Sequence, residues 1–279
     1  MTFTFGNWRS FCKLLADSGI RSVTASTVMT MAQDQPFVVL KHDVETAVQK
    51  AFRMAEIEHN LGHCGTYYVQ AYLLNDEKNV TLLRQMKQMG HEISYHFDVL
   101  DSNHGDMDAA IAEFDCSLRK FSDSGFDIVT LCQHGNPVIE RVGYTSNRDF
   151  FRSERVQKLY PGFCDIMVDF PAKSGRSFLY FSDAGRMFHQ IFDPINNDRV
   201  KSDDKDIAYD DLKGVFDAFY KTGKSAFVSV HPHRYTASAI VYSLKSFAFR
   251  VIRGTAKLMM KIPLFKRVMA KYYYLAKKI

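Results

Sequence analysis

The sequence predicts an α/β fold of parallel βα units, either a barrel or a doubly wound sheet, and three observations point there. Short apolar runs alternate with amphipathic stretches of helical spacing along most of the chain. Glycines such as Gly19, Gly62 and Gly90 close the helical stretches. The apolar runs end in side chains that carry chemistry, as the carboxyl ends of parallel strands do.

A short helix around residues 11–15 comes first and packs on the outside. Residues 37–40 (FVVL) form a continuous apolar run, the mark of a strand buried on both faces. Lys41, His42, Asp43, Val44 and Glu45 follow it, then a helix over 46–60. The unit repeats: a strand at 66–70, a helix at 80–89, a strand at 91–96, and an amphipathic helix at 106–121 with Ile111, Phe114, Leu118 and Phe121 on one face. Residues 128–132 make the next strand, opening into Gln133, His134, Gly135, Asn136 and Pro137. Strands at 166–170 and 178–181 fall in a less regular stretch. A helix over 210–220 leads into a last strand at 226–230, which ends at His231, Pro232, His233 and Arg234.

Composition fits one large globular domain: 279 residues, 46% hydrophobic and 24% charged. The net charge of +5 is unevenly placed. From Thr236 onward there are ten Lys/Arg and no Asp or Glu, and the remainder, with 26 basic and 31 acidic residues, carries −5. A mildly acidic body argues against nucleic-acid binding. Five cysteines without CxxC spacing read as reduced thiols, mostly in the core. The first 19 residues lack an apolar h-region, and no run reaches the ~18 apolar residues of a spanning helix. The expected setting is therefore cytoplasmic. Residues 1–235 read as one catalytic domain and 236–279 as a basic amphipathic helical tail.

Asp43 and Glu45, His96, His134 and His231 stand at the ends of four different strands. Parallel architecture would gather them on one face, although their chain positions lie far apart. Carboxylates and imidazoles meeting there suit a divalent ion with an open coordination position. Asp43, two residues from Glu45, would point to the same side of an extended strand and could take a proton from water.

The motifs resemble those of the polysaccharide deacetylases (the NodB-homology group, carbohydrate esterase family 4). FVVLKHDVE at 37–45 resembles their opening motif, GTYYV at 65–69 the next strand, MGHEISYH at 89–96 their GHEI..H strand, and SVHPHRY at 229–235 the closing HP motif. HDVE at 42–45, HGNP at 134–137 and SDAGR at 182–186 are similar to a narrower branch with HDVD, HGxP and TDxGR elements, associated with surface-polysaccharide or lipopolysaccharide biosynthesis. The resemblance covers roughly residues 8–235.

It implies a deformed (β/α) barrel of about seven strands and removal of an N-acyl group from an amino sugar, lipid- or nucleotide-linked. It implies a divalent metal, zinc by preference. Asp43 matches the catalytic base, Glu45 and His96 metal ligands, and His231 the general acid. The second family His falls on Leu100, which cannot bind a metal. His134 is expected to replace it, Gly135 allowing a tight turn there; His104, Asp98 or loss of the metal are the alternatives. Asp183, Arg186 and Arg234 are expected near the substrate, against surface or solvated-loop roles. His42 either packs under the site or orients Asp43, while His91 and Glu92 are expected to be structural. Competing readings are an inactive sugar-binding protein of this fold and a metal-independent cyclic-amide hydrolase.

The tail mixes Ile240, Val241, Leu244, Phe247, Val251, Ile252 and Leu258 with Lys and Arg and without acids. It suits an amphipathic helix on an anionic bilayer, a peripheral contact with the inner face of the membrane. The alternative is a helix packed on the barrel or a partner subunit.

Overall fold

β1 (Val38–Val44) runs through the middle of a nine-stranded sheet. The computed structural model describes residues 2–136, 139–199, 206–244 and 247. The remaining strands are β2 (Gly65–Val69), β3 (Glu92–Phe97), β4 (Thr130–Gln133), β5 (Cys164–Asp165), β6 (Leu179–Ser182), β7 (Phe188–Ile191), β8 (Ile207–Tyr209) and β9 (Ala226–Val230). Their order is β5-β4-β3-β2-β1-β9-β6-β7-β8. All pairs are parallel except β6–β7 and β7–β8.

The α/β class and the parallel units therefore stand. A barrel of about seven strands does not describe the sheet: among the described residues it has nine strands, two of them joined antiparallel, and its order has two ends. It is nonetheless curled. Five steps of strand spacing would set β5 and β9 about 24 Å apart in a flat sheet. Yet Phe170, five residues beyond β5 after a turn, brings its ring centroid to 5.2 Å from that of Phe227 on β9.

Side-chain alternation sorts the strands into inner and outer faces. Val39, Tyr68, Cys132, Ile166, Tyr180 and Phe227 share an inner core. On the outer face, Tyr67, Ile93, Tyr95 and Phe97 pack with the helices Val48–Asn60 and Met107–Asp123 through Ala51, Phe114 and Phe121. Leu40, Val228 and Val230 pack against Trp8 and Phe216 of the helices Phe5–Asp17 and Leu212–Tyr220. Three of those helices start where a side chain accepts a free N–H: Thr4 from Asn7, Asp106 from Asp108 and Ala109, Asp211 from Gly214.

Three local expectations change. The first helix is longer, Phe5–Asp17, and buries Trp8 and Phe11 in the core. The strand expected at 166–170 is β5 at Cys164–Asp165. Asp165 Oδ1 accepts the Met167 N–H at 2.8 Å, a side-chain turn that ends the strand before the helix Phe170–Ser174. The helix expected from 46 begins at Val48, because Ala47 sits in the left-handed region at φ 54. Among the described residues no helix is long and apolar enough to cross a membrane. All of 248–279 lies outside the described residues, as do Pro137 and the Arg186 side chain.

Candidate active site

β1 continues through Val44, so Lys41 and Asp43 belong to the strand and fall on its inner face with Val39. Both are buried. Lys41 Nζ donates to Asp43 Oδ1 at 2.5 Å and Oδ2 at 2.6 Å, and to Ser229 Oγ on β9 at 3.1 Å. Register sets this up, since Lys41 pairs directly with Ser229. Burial pushes the Asp43 carboxyl up, but the Lys41 ammonium, then His96 and His231, more than reverse it and hold the group well below the usual carboxylate range. Burial likewise opposes the charge on Lys41, and Asp43 outweighs it, so the amine lies well above its ordinary value. The pair is an ammonium–carboxylate bond in the floor of the site.

Glu45, just past β1, His96 on β3 and His134, just past β4, converge. One donor atom from each lies within 4.8 Å of the others. His134 Nε2 is 3.0 Å from Glu45 Oε1, and the His96 and His134 rings meet edge to face with centroids 5.2 Å apart. His96 Nδ1 bonds the Cys132 carbonyl at 3.0 Å, which puts the proton on Nδ1 and leaves Nε2 as an unprotonated donor atom. Burial, with His134 and Lys41 adding to it against the pull of Asp43, pushes the His96 imidazole down to about 3, so it is neutral at ordinary pH. A neutral imidazole is the form that binds a metal.

A second trio, Asp43, His96 and Cys132, also falls within 4.8 Å. Asp43 is already bonded to the Lys41 ammonium, and burial holds the Cys132 thiol protonated. The donor set of Glu45, His96 and His134 is the better fit for a divalent ion. Leu100, where a family ligand would fall, is buried in the outer core. His104 is exposed at a turn with φ 52 and joins no donor cluster among the described residues, while Asp98 Oδ2 stands 3.7 Å from His134 Nδ1, behind the ring.

His231 closes the site from the end of β9. Its Nε2 is 3.9 Å from Asp43 Oδ2 and 3.8 Å from Glu45 Oε1. Its Nδ1 is 2.5 Å from Asp183 Oδ1, and its backbone N–H donates to Oδ2 at 3.0 Å. Arg234 Nη1 donates to the same Oδ1 at 2.7 Å. Burial raises the Asp183 carboxyl, and Arg234 followed by His231 brings it below its ordinary value. Asp183, expected to face substrate, is instead fully buried behind His231, and the charge of Arg234 is directed to it. The Arg186 side chain lies outside the described residues.

No protein-family profile matches the chain, and no curated protein matches it in sequence. Among solved structures it is similar to a CE4 esterase of Streptococcus mutans. The likeness has a TM-score of 0.41 at 13% identity and covers 75% of this chain and 92% of that one. So distant a likeness carries no argument about activity. The chain's own side chains must carry it.

Sequence reading missed a hub that fixes His134. Buried Asp101 accepts two bonds from Arg141, at 2.8 Å each, one from Tyr144 Oη at 3.0 Å and one from Asn147 Nδ2 at 2.9 Å. Asn147 Nδ2 also donates to the His134 carbonyl at 2.8 Å, and the His134 N–H donates to Phe97 O at 2.7 Å. The loop is held by this network and not by the glycine beside it: Gly135 has open space around it and an ordinary φ. Lys41 was also missed; a lysine inside a buried run should itself have signalled a charged partner two residues away.

His42 points to the outer face. It stacks on Tyr67 with centroids 4.1 Å apart, and its Nε2 is 2.8 Å from Glu58 Oε1. Glu58, fully buried, also accepts from Trp8 Nε1 at 2.9 Å and Tyr67 Oη at 2.8 Å. His42 thus packs under the strand and does not orient Asp43. His91 accepts the Gly65 N–H and bonds the Ala55 carbonyl, and Glu92 takes bonds from Ser26, Thr66 and Thr130. Both are structural.

Proposed function

We propose that the chain is a metal-dependent hydrolase that removes an N-acyl group, acetyl by preference, from an amino sugar of a surface polysaccharide or its precursor. The observation that carries the reading is the convergence of Glu45, His96 and His134 donor atoms within 4.8 Å, beside the Asp43 carboxylate and the His231 imidazole, which stand 3.9 Å apart. The amino-sugar substrate and the place in surface-glycan synthesis come from the resemblance of the motifs.

Glu45, His96 and His134 would hold the ion. When bound, a divalent ion polarises the scissile carbonyl and makes a water more acidic. Asp43, kept ionised by Lys41, accepts the proton that the attacking water gives up. The same ammonium makes Asp43 a weak base, so the proton passes on to His231 Nε2, 3.9 Å away. His231 then donates it to the departing amine, its ring held by the Asp183 carboxylate at Nδ1. Ser229 supports the Lys41 ammonium from the neighbouring strand.

One observation favours a second reading. The 3.0 Å contact between His134 Nε2 and Glu45 Oε1 satisfies both groups without an ion, as a metal-independent amide hydrolase would need. Metal analysis of full-length protein purified without chelator, together with acetate release from N-acetylglucosamine oligomers, separates the two. One zinc per chain, with turnover lost in Asp43→Asn and on chelation, is the expected result. Turnover that survives complete chelation would leave only the second reading.

A further inference from the structure

We propose that the helix entered at Ala239, with the basic sequence that follows it, forms a surface that binds an anionic lipid bilayer. The proposal is independent of the reaction assigned above.

The helix is anchored to the domain at its start. Thr236 bridges to Thr4, its N–H donates to Phe3 O at 3.0 Å, and the Phe5 N–H donates to Thr236 O at 3.0 Å. Tyr242 is buried, with its ring centroid 5.8 Å from that of Phe3. The opposite side of the same helix is uncovered: Ile240 is 74% exposed, Leu244 66% and Phe247 64%. These three fall at i, i+4 and i+7, one stripe of a helix, with Val241 beside it. Large apolar side chains aligned this way cost free energy in water unless something covers them.

Charge says what covers them. From Thr236 onward the sequence has ten Lys/Arg and no acid, whereas the rest of the chain is net acidic. Beyond the described helix the sequence carries Arg250, Arg253, Lys257 and Lys261 interleaved with Val251, Ile252, Leu258 and Ile262. A second copy of the chain seated on the same stripe would bring two basic sequences of like charge together. A nucleic acid would answer the charge but leave the apolar stripe in water. A bilayer with anionic headgroups answers both, taking the apolar side chains into its interface and the cations at its surface.

The test is co-sedimentation of the full-length protein with vesicles of phosphatidylglycerol and phosphatidylcholine in equal parts, and with vesicles of phosphatidylcholine alone. Expected is binding to the mixed vesicles at least roughly tenfold tighter than to the neutral ones. The double substitution Leu244→Asp and Phe247→Asp should weaken it by a similar factor with an unchanged Tm, since both positions are exposed. Lys257→Gln with Lys261→Gln should weaken it too. Equal binding to both vesicle types would overturn the proposal. So would mixed-vesicle binding indifferent to the Asp pair, or an Asp pair that breaks a dimer in ultracentrifugation while the parent protein stays off the vesicles.

Discussion

The imidazole of His231 and the carboxylate of Asp183 are joined twice: Nδ1 to Oδ1 at 2.5 Å, and the His231 backbone N–H to Oδ2 at 3.0 Å. An ionised carboxylate only accepts, so Nδ1 carries the proton and Nε2 is left facing Asp43 and Glu45. Arg234 fixes the carboxylate in turn. In Asp183→Asn the ring loses its charged support and its fixed tautomer. Turnover is expected to fall by roughly 10²–10⁴-fold, with bound metal per chain unchanged. Steady-state rates alongside metal analysis check this; a parallel loss of metal would assign Asp183 a purely structural role.

Lys41 and Asp43 are a buried ion pair and should behave as one. Lys41→Met leaves a buried carboxylate alone and is expected to cost about 3–5 kcal/mol in urea unfolding. Lys41→Met with Asp43→Leu removes both charges and should recover most of that loss while remaining inactive. A double variant no more stable than Lys41→Met would contradict the pairing.

Asp165 carries the opposite sign. Burial, with Asp169 adding to it against the Met167 N–H, pushes its carboxyl up to about 7. Its contribution to stability is fully present below the ordinary carboxyl range and is lost as pH rises through about 7. Asp165→Asn should therefore stabilise the protein at pH 8 by on the order of a few kcal/mol and change little near pH 4. His96 and His233, pushed down to about 3 mainly by burial, act from the other side. In metal-free protein their contribution is present above the ordinary imidazole range and is lost as pH falls from about 6.5 toward 3. Denaturant melts across that span read both effects.

Ala47 holds a left-handed backbone, φ 54 and ψ 59, between Glu45 and the helix Val48–Asn60. A Cβ there costs about 1–2 kcal/mol. Ala47→Gly should raise the Tm by about 2–4 °C, measured by calorimetry; a lower Tm would show that the turn tolerates the side chain.

The converging residues were legible because parallel strands put their carboxyl ends on one face, so Asp43, His96, His134 and His231 could be brought together from strand endings alone. The inward place of Lys41 was not legible, since the apolar run stops at Leu40 while the strand continues to Val44 with polar inner residues. β7 and β8 lack an apolar run because they are the half-exposed end of the sheet. The Asp101–Asn147 bonds join side chains 46 positions apart, a pairing that only the fold creates. The role of Asp183 was misplaced for the same reason: burial, not residue type, decides whether a carboxylate faces ligand or supports a neighbour.

The most direct test of the central claim is anomalous scattering at the zinc edge from crystals of the full chain grown without chelator. The account predicts one peak at about 2.0–2.2 Å from a Glu45 oxygen and one nitrogen each of His96 and His134. A peak bonded to Asp43 and Cys132, or zinc-soaked crystals with no peak among these side chains, would contradict it.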